Sequence, residues 1–154
     1  MQGSSEVLGA LNTVYHALIS AEGQAHLQEH AFEYPGWSSS KYWDAIENEL
    51  HKECTHWILN RMFELEGSPT YELGFPVVYY ADGFSLAINE TIQSLGKCRD
   101  AYQNLCEVAD IDGDYVTQKI CWCHLKFIEK HITIFEGLLI RFNKLGSVVM
   151  GGIA

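Results

Sequence analysis

The chain has 154 residues, 20 Asp and Glu against 10 Lys and Arg, a formal charge of −10 and 47% hydrophobic residues. A single domain spanning 1–154 of this size hides roughly 68–70% of its unfolded surface without disulfides or a structural metal. The few scattered basic residues exclude a nucleic-acid surface and suit a protein that attracts cations. The apolar runs Phe75–Tyr80 and Ile132–Ile140 are too short or too interrupted to cross about 30 Å of hydrocarbon, which excludes a membrane span. The first residues, MQGSSEVLG, lack a basic stretch and a long apolar stretch, so no cleavable signal is expected. Cys54, Cys98, Cys106, Cys121 and Cys123 are an odd set without framework spacing, which predicts reduced thiols and a cytoplasmic location.

The first predicted helix covers residues 5–33, where Leu8, Leu11, Val14/Tyr15, Leu18, Ala21, Ala25 and Phe32 recur near every 3.6 residues. Pro35-Gly36 breaks it, and Ser38-Ser39-Ser40 supplies N-cap hydroxyls for a second helix. That helix carries Trp43, Ile46/Glu47, Leu50, Cys54, Trp57/Ile58, Arg61/Met62 and Leu65, and Gly67-Ser68-Pro69 ends it. Residues 68–81, with two prolines and a β-branched and aromatic run, predict an extended connection. A third helix follows Phe84, Ile88, Ile92, Leu95, Cys98/Arg99, Tyr102 and Leu105/Cys106 up to a tight turn at 110–114. The fourth runs from Thr117 through Ile120/Cys121, His124, Phe127/Ile128, His131, Phe135, Leu138 and Phe142 to Leu145, with Gly146 and the apolar tail 147–154 beyond. Two helical hairpins joined by one long crossover predict an all-α, four-helix bundle of the ferritin-like topology.

Leu11-Asn12, Gln24, Phe32, Arg61 with Leu65-Glu66-Gly67 and Pro69, Ala109-Asp110, Asp114-Tyr115-Val116 and His131-Ile132 fall into one register over nearly the whole chain. In that register the sequence resembles the bacterioferritin branch of the ferritin-like superfamily. The resemblance implies iron storage and an oligomer, a homodimer at least, then a larger shell or a hetero-oligomer with a catalytic subunit. It also implies an acidic di-iron centre, with one Glu from each of two helices and Glu-x-x-His from each of the other two. The matching positions here are Leu18, His51, Cys54, Leu95, Ile128 and His131, so all four carboxylates are missing. Packed aliphatics there would spare the bundle the self-repulsion of a carboxylate cluster. The family's haem is held between two subunits by a Met on the second helix; its position here is Lys52, so no haem is expected by that route.

Four other constellations are candidates. Glu53-Cys54-Thr55-His56 is an intact Glu-x-x-His, but two residues from the matching position, about 200° around a helix, so it faces solvent. Glu22 and Glu47 each lie one turn from a matching position, and with His51 and His131 they form a relocated metal site able to carry iron outside a standard centre. Cys121 and His124 share a face, and with Cys54, His51 and His131 would make a soft thiolate/imidazole site, whereas Cys123 points away from Cys121. Asp110, Asp112 and Asp114 resemble the start of a calcium loop, but Cys121 stands where its closing Glu is needed, so they read as turn and capping residues. His16, His26 and His30 read as surface residues, with His26 and His30 four apart and able to take a divalent ion. Trp37, Tyr42, Trp43, Trp57, Phe75, Tyr79 and Tyr80 supply aromatic area for a partner subunit or for the core.

No catalytic residue is assigned. The readings are an iron-storage or iron-homeostasis subunit without a normal ferroxidase centre, a metal-dependent oxidase using Glu22, Glu47, His51 and His131, and a non-metal binding module on the same bundle.

Overall fold

The computed structural model describes residues 2–33, 39–78 and 83–146. α1 (Ser5–Ala31) begins at Ser4, whose Oγ accepts a 3.1 Å bond from the Val7 amide. α2 (Ser40–Glu49) continues through a π-helical segment, Leu50–Thr55, into α3 (His56–Glu64), all three in one unbroken rod. α4 (Phe84–Asp112) and α5 (Tyr115–Leu145) form the second hairpin. α1 packs on α2 and α4, and α4 on α5, giving the expected bundle of two hairpins, with no strand among the described residues.

The π segment was not foreseen, though the sequence contains its cause. Ile46, Leu50, Cys54, Ile58 and Met62 are spaced strictly four apart, and all are buried. In an α-helix each such step drifts about 40° around the axis, so the stripe would leave the core within three turns. A wider turn absorbs the drift and keeps Leu50, Cys54 and Ile58 facing inward.

Two other expectations change. α4 runs through Asp110 and Asp112, because its stop is Gly113 in the left-handed conformation (φ 74°), which leaves only Gly113 and Asp114 as the turn. Ser39 precedes α2 in a helical conformation, and its hydroxyl makes no capping bond.

The crossover lies along α1, held by side chains that face it. Gln24 Oε1 accepts from the Val78 amide at 2.9 Å and its Nε2 donates to the Val78 carbonyl, a pairing like that of a strand edge. Ser20 Oγ accepts from the Gly74 amide at 2.8 Å, and His16 Nε2 meets Thr70 at 2.9 Å, so His16 is a half-buried tether. At Gly74 a Cβ would stand 2.9 Å from the Ala17 amide nitrogen, so only glycine lets the two backbones approach this closely.

At one end of the bundle Trp43 is fully buried, stacked on Phe32 with centroids 5.3 Å apart and donating to Thr91 Oγ1 at 2.8 Å. At the other, buried Arg61 donates to Thr117 Oγ1 at 2.9 Å and to Asp114 Oδ1 at 2.8 Å, which ties α3 to the start of α5. Burial pushes the Asp114 carboxyl up, but hydrogen bonds from Thr117 and Arg61 outweigh it and hold it low.

Candidate metal centre

The six positions that the sequence resemblance sets against di-iron ligands divide into five inside and one outside. Leu18 and Ile128 are 0% exposed, Leu95 is 1%, Cys54 0% and His131 2%. Leu18, Leu95 and Ile128 bring no donor atom to the bundle centre, and burial raises the Cys54 thiol to about 12, so it stays protonated. His131 is the imidazole that remains. Neither of its nitrogens makes a hydrogen bond of good geometry; Nε2 lies 3.3 Å from Glu49 Oε2, and burial lowers its pKa. Glu49 is in turn held by Lys130 Nζ at 2.6 Å.

His51 is not in the centre. Its side chain is 73% exposed and turned toward the α1 flank. In an α-helix positions 51 and 54 would lie about 60° apart. The wider π turn opens that angle, carrying His51 out while Cys54 stays in.

The relocated set is divided in the same way. Glu22, Glu47 and His51 line one groove of about 630 Å³ between α1, the α2 rod and crossover residues Tyr71, Leu73 and Val77. Glu22 Oε2 lies 3.7 Å from His51 Nδ1, and Glu22 Oε1 accepts a short bond from Thr55. Burial raises the Glu22 carboxyl, opposed by Thr55 and His51. Glu47 Oε1 meets His26 Nδ1 at 2.9 Å. His131 does not line this groove and faces Glu49 instead.

The remaining candidates resolve by burial. Glu53 and His56 are both exposed, as their phase predicted. Cys121 is buried and Cys123 exposed, also as predicted. The soft site does not assemble, because exposed His51 cannot join buried Cys54 and Cys121, and the His124 imidazole is already engaged: its Nδ1 lies 2.7 Å from Tyr102 Oη. Asp114 caps α5, accepting from the Thr117 amide at 3.1 Å. Of the aromatic set, Trp43 belongs to the core, Tyr42 and Phe75 are half-buried, Trp57 is 51% exposed, and Trp37, Tyr79 and Tyr80 lie outside the described residues.

Sequence reasoning missed the Tyr102–His124 pair. Burial lowers His124 to about 4 and raises Tyr102 well above its ordinary value, so both are neutral at pH 7. The available signal was two polar aromatic residues on otherwise apolar stripes of α4 and α5.

No family model matches the chain. A bacterial ferritin of Pseudomonas aeruginosa is 34% identical over 71 residues, a stretch that spans 45% of this chain and 45% of that relative. The bacterioferritin of Rhodobacter capsulatus, solved with a metal-free dinuclear site and a haem iron, superposes with a TM-score of 0.85 at 20% identity, over 98% of this chain and 94% of that one. The superposition shows the ferritin-like four-helix bundle fold, and the chain is similar to a bacterial ferritin over the shared stretch, which spans less than half of either protein.

Proposed function

We propose that the chain is a bacterioferritin-like iron-storage or iron-homeostasis subunit, structural in role, without a ferroxidase centre of its own. The observation that carries this is the burial of Leu18, Leu95 and Ile128, at most 1% exposed, where paired irons would need bridging carboxylates. A di-iron pair does not fit these residues, and no reaction step runs through one. Haem held by a thioether on the second helix does not fit either, since Lys52 occupies that position and is exposed.

The acidic surface, with its formal charge of −10, draws iron as cargo toward the assembly. The assembly is a homodimer at least, extending to a shell or to a hetero-oligomer whose other subunit oxidises Fe(II). Five unpaired thiols and the lack of a membrane-crossing helix among the described residues suit the cytoplasm. The apolar tail 147–154 lies outside the described residues.

The test is anaerobic Fe(II) binding on tag-free protein, with light scattering on the eluted assembly. The expected result is a dimer or larger particle without the family's tight pair of irons per subunit. A monomer, or about two tightly bound Fe(II) per chain as the di-iron pattern requires, contradicts it.

A second reading, a metal-dependent oxidase at Glu22, Glu47, His51 and His131, is favoured by the 3.7 Å approach of Glu22 and His51 within one groove. It requires His131 to leave Glu49 or a metal held without it. Loss of oxidase activity in Glu22→Gln supports this reading, and equal activity in that variant removes it.

A further inference from the structure

Sharing only Glu47 with that quartet, the C-terminal half of α1 and the first turns of α2 hold a second collection of metal-ligand side chains. Ligand atoms of His26, Glu29 and His30 lie within 4.8 Å of one another, and so do those of Glu29, Asp44 and Glu47. Glu29 belongs to both sets, and Glu47 Oε1 closes the ring onto His26 Nδ1 at 2.9 Å. Two helices thus present two imidazoles and two carboxylates around the carboxylate of Glu29.

We propose that His26, Glu29 and His30, completed by Glu47 or Asp44, bind a single borderline divalent cation of the zinc class across the α1–α2 junction. Two imidazoles four residues apart stand one turn above each other on a helix, a spacing that lets both reach one ion. Ligand atoms of a tetrahedral zinc stand about 3.4 Å apart, given bonds near 2.0–2.1 Å. A set already within 4.8 Å reaches that by small side-chain rotations, which half-exposed and exposed residues make freely.

The charge balance favours a cation. Among the described residues no lysine or arginine pairs with Glu29, Asp44 or Glu47, and Glu47's ionic partner is His26. Glu29, Asp44 and Glu47 thus bring three carboxylates together with no cationic Lys or Arg partner among the described residues. A divalent ion satisfies several of these donors at once. The mixed imidazole and carboxylate set suits Zn(II) and Co(II) better than Mg(II), which prefers oxygen donors and several retained waters. The site stands independently of the storage reading, because it uses none of the positions matching the di-iron ligands.

The test is a Zn(II) titration of tag-free protein against a chromophoric chelator, followed by Co(II) absorption spectra. The parent is expected to bind Zn(II) and raise its melting temperature. Glu29→Gln and the double variant His26→Asn/His30→Asn should each weaken binding by at least about tenfold, given that even outer-sphere changes cost 10–100-fold. Glu22→Gln should bind as the parent does, and Co(II) should give visible bands in the parent that the double variant lacks. Equal Zn(II) affinity in the parent and the double variant, or loss in Glu22→Gln instead, overturns the proposal. Far-UV circular dichroism of the variants separates lost binding from lost folding.

Discussion

The bundle centre and the α1–α2 flank lie side by side and follow opposite chemistry. In the centre Leu18, Leu95 and Ile128 are almost wholly removed from water, Cys54 is a neutral thiol, and His131 has only the 3.3 Å approach of Glu49. On the flank Glu22, Glu29, Asp44 and Glu47 meet His26, His30 and His51 within reach of solvent. A carboxylate cluster in a dry interior needs its metal to offset desolvation and mutual repulsion. At a wet surface the same cluster persists without one, because water screens it. In this chain donor-rich chemistry lies where its cost is low, and apolar packing lies where it yields most.

The largest effect should come from placing flank chemistry in the centre. Leu18→Glu and Ile128→Glu each bury a carboxylate with no partner, at an expected cost on the order of several kcal/mol. Urea unfolding monitored by circular dichroism measures it. If both variants unfold at the parent midpoint, these positions are not dry and the contrast between the two regions is lost.

A smaller effect tests the buried Tyr102–His124 pair. Tyr102→Phe removes the hydroxyl 2.7 Å from His124 Nδ1 and should cost about 1–3 kcal/mol, the usual penalty for an unsatisfied buried group. The same imidazole gives a pH signature. Its folded pKa, near 4, lies below its unfolded value of 6.5, so the unfolded chain takes up the proton first as pH falls. Stability present above pH 6.5 is therefore lost progressively down to about 4, with a limiting slope of about 1.4 kcal/mol per pH unit for one such group. In His124→Gln that contribution disappears and the acid side of the profile becomes shallower; an unchanged profile would mean His124 is not held neutral.

The smallest effect belongs to the flank. Glu22→Gln keeps an acceptor for the Thr55 hydroxyl and loses only a 3.7 Å approach to an exposed imidazole. Its stability should stay within about 1 kcal/mol of the parent, as for most surface ion pairs. A loss as large as that of Leu18→Glu would show that the flank is structurally as critical as the centre.

The helices were legible because their apolar stripes repeat near 3.6 residues, and the apolar nature of positions 18, 95 and 128 could be read directly. The place of His51 was not legible. Its register with Cys54 assumed an α-helix, and the strict four-residue spacing from Ile46 to Met62 that widens the turn went unread. The same assumption placed His51 beside His131. The relocated quartet shared a turn on paper, but His131 turns to Glu49, a residue on the α2 rod that the spacing of Glu22 and Glu47 did not bring into view. Gln24 and Arg61 were recognised as matching residues; their roles, pairing with Val78 and bridging to Asp114, depend on residues more than fifty positions away in sequence.

The most direct test of the central claim is oxygen uptake after adding Fe(II) to aerobic, tag-free protein in stoichiometric excess over subunits. A centre lined by Leu18, Cys54, Leu95, Ile128 and His131 predicts oxidation no faster than Fe(II) in buffer at the same pH. Rapid oxygen consumption saturating at about two Fe(II) per chain, the stoichiometry of a carboxylate-bridged pair, would contradict it.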